Sequence, residues 1–304
     1  MNPDAVLIAG PTASGKSAAA LALAERIGGT LINTDSMQVY CETRILTARP
    51  RDDEMQRAPH CLYGHVSVHE RYDVARYAAD AQKALADVRK SGHVPIFVGG
   101  TGLYFGALTV GLPDMPTVPA SVREAARRRR DALGADAFFA EFAERDPATA
   151  SRLRASDTQR VLRAYEVFEA TGTPLSQWQQ GASVPLLAGL SPARFILSPP
   201  RAVLHARIAR RFELMLADGA FEEAGALEDI DPSLPSAKIL GLRELNSVRR
   251  GELGRDEATR LAVTATRQYA KRQVTWFRHR MADWTWIGAD KSANIVSEMV
   301  SFVA

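Results

Sequence analysis

A glycine-rich stretch near the start of the chain constrains its fold more than any other feature. It reads Gly10-Pro11-Thr12-Ala13-Ser14-Gly15-Lys16-Ser17. The apolar run 5–9 precedes it, and an alanine-rich run with helical composition, 17–26, follows it. A strand, a glycine loop and a helix in this order predict a P-loop, whose backbone N–H groups surround phosphate oxygens. Lys16 would add a positive charge, and the Ser17 hydroxyl is placed to bind Mg²⁺.

The rest of the first half alternates between strand and helix patterns. Apolar runs with the length of strands lie at 30–33 and 94–98, and another follows at 194–197. The segment 73–89 has a helical apolar face, and Asp73 is placed to cap it. This alternation predicts an α/β fold, a P-loop NTPase-like parallel sheet flanked by helices. We expect the region 44–68 to form loops and short elements over the site.

A change of composition marks a second part of the chain. Pro113, Pro116 and Pro119 form a boundary, and the following segment, 121–176, is strongly helical and basic. The strand-like run 194–197 then resumes the pattern of the sheet. We therefore predict a discontinuous core from 1–112 and 186–304, with 113–185 as a helical insertion domain.

The bulk composition excludes several classes of protein. Hydrophobic residues make up 46% of the chain and charged residues 24%, which is typical of a globular protein with a full core. Cys41 and Cys61 have no metal-type spacing, so the chain is expected in a reducing cytoplasm. No apolar run approaches the roughly 18 residues that a membrane span needs. We expect a monomer that does not bind membranes.

Two side chains follow predicted strands at the edge where ligands bind in parallel sheets. Asp35 follows the second strand, where it could accept a proton from an acceptor substrate. Thr101 follows the strand 94–98, where it could hydrogen-bond that acceptor. That strand ends in Gly99-Gly100, whereas ordinary P-loop NTPases often place a magnesium-binding Asp there. This departure argues against a plain ATPase or GTPase.

Basic residues concentrate in local patches, although the net charge of the chain is only +3. In the predicted helix 256–278, a narrow stripe contains Arg260, Arg267, Lys271 and Arg278, and no acidic residue occurs from 260 to 280. Such a one-sided basic stripe is typical of a surface that binds a nucleic-acid backbone. The helix predicted at 201–217 adds further arginines that could face the P-loop: Arg207, Arg210 and Arg211.

These residues leave alternative functions open. One is a small-molecule kinase, with ATP in the P-loop and a hydroxyl acceptor at Asp35. A second is a transferase whose donor is a diphosphate and whose acceptor is a nucleic acid. A third is a nucleic-acid binder that senses a nucleotide. The basic insertion and stripe favour the transferase, and the binder leaves Asp35 and Thr101 without a role.

Over nearly its whole length the chain resembles the bacterial tRNA dimethylallyltransferases. The resemblance rests on the P-loop and on four further motifs in the same order and spacing. These are Asp35-Ser36-Met37-Gln38-Val39-Tyr40, Val98-Gly99-Gly100-Thr101-Gly102-Leu103-Tyr104, Asp157-Thr158-Gln159-Arg160-Val161-Leu162-Arg163-Ala164 and Lys271-Arg272-Gln273-Val274-Thr275-Trp276-Phe277-Arg278.

The resemblance implies transfer of a dimethylallyl group from dimethylallyl diphosphate to the N6 amine of adenosine 37, beside the tRNA anticodon. Asp35 would be the general base, Thr101 would hydrogen-bond the amine, and Arg211 would contact the pyrophosphate. The P-loop would hold the prenyl diphosphate, with Mg²⁺ at Ser17. The family pattern and the stripe together predict these tRNA contacts: Asp35, Ser36, Met37, Gln38, Thr101, Arg123, Gln159, Arg160, Val161, Leu162, Arg163, Lys238, Arg267, Lys271 and Arg278.

One segment departs from the family pattern. The usual Gly-Thr-Ala-Lys-Pro reads Leu46-Thr47-Ala48-Arg49-Pro50 here. Arg49 keeps the charge of the lysine with a different geometry, and Leu46 removes a flexible backbone position. Donor affinity or loop closure is expected to change.

The runner-up function is an adenylate isopentenyltransferase, which would use a similar crevice with a free nucleotide as acceptor.

Overall fold

Apolar segments of the chain pair into one β-sheet in the structure, a computed structural model that describes residues 3–181, 183–288 and 292–303. Within those residues the strands are β1 (Val6–Ala9), β2 (Gly29–Asn33), β3 (His60–Cys61), β4 (Val94–Gly99), β5 (Ala193–Leu197) and β6 (Thr285–Ile287). Their order across the sheet is β3-β2-β4-β1-β5-β6, and all neighbours are parallel. The parallel α/β fold expected from the sequence is confirmed.

Side chains of the strands alternate between two hydrophobic cores, one on each face of the sheet. In β1, Leu7 packs in one core, whereas Val6 and Ile8 pack in the other. Because both faces are covered, β1 is apolar throughout, and β1 and β2 are buried at every position.

The helices of the first part connect these strands. They are α1 (Lys16–Ile27), α2 (Asp52–Arg57), α3 (Val74–Lys90) and α4 (Gly102–Thr109). The predicted cap of α3 is present, since the Asp73 carboxylate accepts hydrogen bonds from the backbone N–H groups of Ala75 and Arg76. The region 44–68 contains only the short α2 and β3, as expected from its weak periodicity.

The chain divides into two compact units, and Val110–Pro185 forms the second. Its helices are α5 (Ala120–Leu133), α6 (Ala135–Arg145), α7 (Pro147–Ala150), α8 (Thr158–Thr171) and α9 (Leu175–Trp178). Phe138 and Phe142 of α6 lie in its core, with Tyr165 of α8. The Asp157 side chain makes no cap hydrogen bond at α8; it forms an ion pair with Arg160 at 3.3 Å.

The first unit comprises Met1–Thr109 and Leu186–Ala304. Its later helices are α10 (Arg201–Ala217), α11 (Ala220–Gly225), α12 (Leu242–Arg249), α13 (Arg255–Arg280) and α14 (Ser292–Val303). A short 3₁₀ turn, Pro235–Lys238, precedes α12. Of the helices that the structure describes, none is both long and apolar enough to span a bilayer.

Candidate active site

The predicted P-loop forms the turn between β1 and α1. The Ser14 backbone N–H donates to the Pro11 carbonyl at 3.1 Å, and Gly15 has a φ of 92°, which only glycine adopts without strain. The Ser17 side chain lies exposed at the start of α1. Residues at the start of this helix line a cleft, and the N-terminus of a helix favours an anion.

Lys16 carries the charge of this loop in a desolvated position. Its Nζ donates to the Pro11 carbonyl at 3.4 Å. Burial lowers the pKa of Lys16 to about 8, while the Asp35 carboxylate opposes that shift and the Arg211 guanidinium adds to it. Lys16 is therefore a cation near neutral pH that loses its charge within the alkaline range.

Gln273 of α13 joins the P-loop to the end of β4. Its Oε1 accepts a hydrogen bond from the Thr12 backbone N–H at 2.8 Å, and its Nε2 donates to the Gly100 carbonyl at 2.9 Å. The side chain is 5% exposed. Because both ends of the amide are satisfied by backbone groups, Gln273 fixes the distance between two loops of the site.

The Gly99-Gly100 pair at the end of β4 has a steric explanation. A Cβ at Gly99 would lie 2.0 Å from the Thr34 carbonyl oxygen, and a Cβ at Gly100 would lie 2.3 Å from the Gln273 amide nitrogen. The magnesium-binding Asp of ordinary P-loop NTPases has no room at either position. The close approach of β2 and α13 occupies that space instead.

Asp35 is held at the end of β2 by its neighbours. The Asn33 side chain accepts from the Asp35 N–H at 2.8 Å and donates to the Asp35 carbonyl at 2.9 Å. One carboxylate oxygen of Asp35 accepts from the Met37 N–H at 3.0 Å. The carboxylate is half-buried and fixed, which suits a group that must accept a proton from one direction.

Thr101 lies beside Asp35, as the sequence predicts for two neighbouring strand ends. Its Oγ1 accepts from the Ser36 N–H at 2.9 Å and lies 3.2 Å from the Ser36 hydroxyl, to which it donates. The Tyr269 side chain also interacts with the Thr101 hydroxyl. Burial raises the pKa of Tyr269, and the charge of Asp35 raises it further, so the phenol keeps its proton.

Two of the three arginines singled out on α10 reach the P-loop. Arg211 donates to the Thr12 hydroxyl, and Arg207 donates to the Ser14 carbonyl at 3.2 Å. Burial lowers the pKa of Arg211, and the Asp35 carboxylate opposes the shift. Arg210 instead pairs with Glu213 at 3.1 Å on the exposed side.

A large cleft and a small chamber meet at these residues. The cleft has a volume of about 1120 Å³ and is lined by the P-loop, by Arg207 and by the loop 44–51. The chamber has a volume of about 50 Å³, and its walls combine apolar side chains, such as Phe212 and Ile239, with polar ones. Both are lined by the following residues: Thr12, Asp35, Thr47, Arg211 and Met215.

The donor set around the P-loop suits a hard cation bound with phosphate oxygens. The Ser17 hydroxyl and the Asp35 carboxylate both line the cleft. Oxygen groups of this kind are the ligands that Mg²⁺ prefers, and it usually takes few from the protein when a substrate supplies phosphates. Within the described ranges no group of three or more His, Cys, Asp or Glu could hold a metal.

The predicted tRNA contacts in the first unit differ in how exposed their side chains are. Lys238, Lys271 and Arg278 are exposed. Arg267 is half-buried, because the buried face of α13 runs through positions 262, 266, 270, 273 and 277 and includes its neighbour Thr266. The stripe also has a carboxylate partner at one end, where Arg260 pairs with Glu257.

The Gln38 side chain is hydrogen-bonded within the protein, whereas the sequence predicts that it contacts RNA. Its amide Nε2 donates to the carbonyls of Thr47 at 3.0 Å and Ala48 at 2.8 Å. Arg49, from the same segment, donates to the carbonyls of Tyr40 and Cys41 at 3.2 and 3.3 Å. Both side chains line the cleft while holding its loop in place.

The contacts predicted in the second unit lie mainly on α8. Gln159 and Arg160 are exposed, and Leu162 and Arg163 are half-buried, as is Arg123 on α5. Val161 is 2% exposed and packs in the core of this unit, so its side chain is not available to RNA. One helical turn thus presents polar residues outward and an apolar residue inward.

The sequence interpretation missed three residues that hold the site together: Asn33, Tyr269 and Gln273. Gln273 occurs in a quoted motif, yet it received no role. Its polar side chain on the buried face of α13 could have indicated a role, because a buried polar group needs hydrogen-bond partners. Asn33 and Tyr269 carried no signal of comparable strength.

The chain is similar in sequence to a family of known proteins. The sequence model of a family described as IPP transferase matches residues 38–280. A tRNA dimethylallyltransferase of Bradyrhizobium sp. (strain BTAi1) is 50% identical over 295 residues, which cover 96% of this chain and 97% of that protein.

Solved structures show the same likeness. The tRNA isopentenylpyrophosphate transferase of Bacillus halodurans superposes with a TM-score of 0.70 and 30% identity, covering 98% of this chain and 94% of that one. A eukaryotic dimethylallyltransferase acting on tRNA gives a TM-score of 0.74 and 28% identity, covering 94% and 73%.

Proposed function

Because the chain belongs to the IPP transferase family, we propose that it transfers a dimethylallyl group to the N6 amine of adenosine 37, beside the tRNA anticodon. The donor is dimethylallyl diphosphate, and pyrophosphate is released. The junction of the two cavities carries this proposal. The cleft lined by the P-loop and a small chamber lined in part by apolar side chains meet at Asp35 and Arg211, so a donor with a charged and an apolar end fits across them.

In this proposal the P-loop holds the diphosphate with its backbone N–H groups and Lys16. Arg211 and Arg207 approach the same loop from α10 and balance the charge of the leaving group. Mg²⁺ would be held at Ser17 together with the donor phosphates. When bound there, it would neutralise charge on the departing pyrophosphate.

Asp35 is the general base in the proposed transfer. The amine nitrogen forms a bond to the first prenyl carbon as the bond from that carbon to the diphosphate oxygen breaks. The bonding electrons leave with pyrophosphate, and the amine proton passes to Asp35. An exocyclic amine is a weak nucleophile because its lone pair is conjugated with the ring, so removal of the proton assists the attack.

Thr101 orients the amine, with its hydroxyl fixed by Ser36. The target base must leave the stack of the anticodon loop to reach Asp35, and bases in such loops are extruded at modest cost. We propose that exposed basic and polar groups of each unit contact the tRNA backbone: Arg160 and the Gln159 amide in the second unit, and Lys238, Lys271 and Arg278 in the first. The free thiols of Cys41 and Cys61 suit the proposed cytoplasmic location.

The test offers radiolabelled dimethylallyl diphosphate to the protein with unmodified tRNA and AMP side by side. We expect label in tRNA, at the adenosine beside the anticodon. Label in AMP alone would favour the adenylate isopentenyltransferase. Consumption of ATP with neither acceptor labelled would favour the small-molecule kinase.

A further inference from the structure

The loop 44–51, which lines the large cleft, is held by one carboxylate from another part of the chain. Glu223 of α11 accepts hydrogen bonds from three consecutive backbone N–H groups of this loop. One of its oxygens accepts from Arg44 and Ile45, each at 2.8 Å, and the other accepts from Leu46 at 2.8 Å. Because the donors are backbone groups, this contact does not depend on which side chain stands at position 46.

These three bonds hold the loop more firmly than its ion pairs do. A charge-assisted hydrogen bond to a half-buried carboxylate such as Glu223 changes an equilibrium constant by about tenfold or more. Arg44 pairs with Asp52, whose side chain is 81% exposed. Arg51 pairs with Asp218, whose side chain is 51% exposed. Water and salt weaken such surface pairs, so Glu223 is the stronger anchor.

The loop depends on an anchor because its own backbone is strained. Ala48 has a φ of 50°, in the left-handed region that a residue with a Cβ adopts only at a cost. Its N–H donates to the Ile45 carbonyl at 3.0 Å, and the Arg49 N–H donates to the Arg44 carbonyl at 3.0 Å. The residues that Glu223 fixes are therefore the ones on which this turn closes.

The same turn forms part of the wall of the cleft. Thr47, Ala48 and Arg49 line the cleft together with the P-loop residues Lys16 and Ser17. A donor bound there meets a preformed wall only while the turn keeps its conformation. If the turn were not held, donor binding would have to supply the free energy that orders it, and the apparent affinity would fall.

We propose that Glu223 is a positioning residue for the donor: its carboxylate fixes the backbone at 44–46 and thereby keeps the turn 45–49 in the conformation that lines the cleft. The inference rests on the proposed function. Glu223 acts through the loop, since it does not line the cleft itself. Its loss therefore weakens donor binding, while the chemical step and tRNA binding stay nearly unchanged.

The experiment uses full-length Glu223→Gln, in which one accepting oxygen is replaced by an amide group that donates. Transfer of the dimethylallyl group is followed at saturating unmodified tRNA. The KM for dimethylallyl diphosphate should rise at least about tenfold, whereas kcat should change by less than about threefold. A merely structural role would lower kcat through a smaller folded fraction and leave KM unchanged.

Hydrogen exchange of the amides at 44–46 gives a second readout, which needs neither tRNA nor turnover. These N–H groups donate to Glu223, so they should exchange at least about tenfold faster in Glu223→Gln than in the wild type. Saturating dimethylallyl diphosphate should restore much of the protection, because the bound donor favours the ordered turn.

Glu222→Gln is the matched control, because Glu222 is exposed on the same helix. Its donor KM and its exchange at 44–46 should equal those of the wild type. Thermal unfolding shows whether each variant is folded. If Glu223→Gln does not fold, Glu223→Asp takes its place; it keeps the charge on a shorter side chain, and its donor KM should rise at least about threefold.

The outcomes separate this inference from the proposed function. An unchanged donor KM in the folded Glu223 variant overturns the positioning role, even where exchange at 44–46 is faster. Unchanged exchange at 44–46 overturns it as well. Failure of the wild type to transfer the group to tRNA would instead overturn the proposed function, and hydrogen exchange with and without the donor would still test the role of Glu223.

Discussion

The side-chain oxygen of Gln273 accepts a hydrogen bond from the backbone N–H of Thr12 over 2.8 Å, across 261 positions of sequence. The amide nitrogen of the same side chain donates to the Gly100 carbonyl. One backbone N–H of the P-loop is thereby used to join α13 to this turn. The helix that carries the basic stripe and the loop that is proposed to hold the donor are thus connected through one buried amide.

Gln273→Ala should weaken both the fold and the use of the donor. It leaves the Thr12 N–H and the Gly100 carbonyl without partners, which costs about 1–3 kcal/mol of unfolding free energy. The P-loop loses its fixed position, so kcat/KM for the donor should fall by about tenfold or more. Urea unfolding and steady-state kinetics measure the two effects.

Gln268→Ala provides the control for this variant, because Gln268 is exposed on the same helix. It should change neither quantity appreciably. Wild-type stability together with wild-type donor kinetics in Gln273→Ala would contradict a positioning role for this residue.

Donor affinity should decline above pH 8 because of Lys16. Burial lowers the pKa of this lysine to about 8, so it is charged below that pH and neutral above it. If the diphosphate binds only the charged form, affinity should fall about tenfold at pH 9, by the linkage of proton and ligand binding. The KM for the donor, followed from pH 6.5 to pH 9.5, tests this expectation.

Lys16→Arg serves as the comparison, because arginine stays charged over the whole range. Its donor KM should be higher than that of the wild type at pH 7, since the geometry differs, but it should not rise between pH 8 and 9. A parallel rise in both proteins would assign the pH dependence to another group.

Charge reversal at the exposed end of the stripe should weaken tRNA binding in a salt-dependent way. Lys271 and Arg278 are exposed, and each can neutralise one backbone phosphate. In the double variant Lys271→Glu and Arg278→Glu, the slope of log K against log salt should fall by about two. Filter binding of unmodified tRNA at several salt concentrations gives this slope.

Arg260→Gln is the control on the same helix, because the Arg260 guanidinium already pairs with Glu257. It should reduce the slope by less than either reversed charge. An unchanged slope in the double variant would remove the stripe from the RNA interface.

The features that depend on local sequence patterns are the ones that could be predicted. Continuous apolar runs predicted the parallel sheet, and the P-loop pattern placed the site at the strand ends, with Asp35 and Thr101 close together as expected. The short β3 lay within a region predicted only as loops and short elements, because a pair such as His60–Cys61 has no measurable periodicity.

Contacts between distant segments were not predictable from the chain alone. The helical wheel of α13 placed Arg267 on the outer stripe, whereas the packing of this helix turns Thr266 and Ala270 inward and leaves Arg267 half-buried. The roles of Gln273 and Glu223 depend on partners more than 150 positions away. Periodicity describes which side of a helix is buried, but tertiary packing decides its exact rotation.

The central claim is that Asp35 accepts the amine proton during transfer. Asp35→Asn keeps a carbonyl oxygen that can accept from the Met37 N–H but cannot act as a base at neutral pH. Asp87→Asn, which changes an exposed carboxylate on α3, is the control.

The most direct measurement is the single-turnover rate of dimethylallyl transfer to unmodified tRNA, with tRNA affinity measured in parallel. Asp35→Asn should lower this rate by at least about a hundredfold, as expected for loss of a general base. Its tRNA affinity should stay near that of the wild type. Transfer by Asp35→Asn at the wild-type rate would contradict the role of Asp35 as the general base.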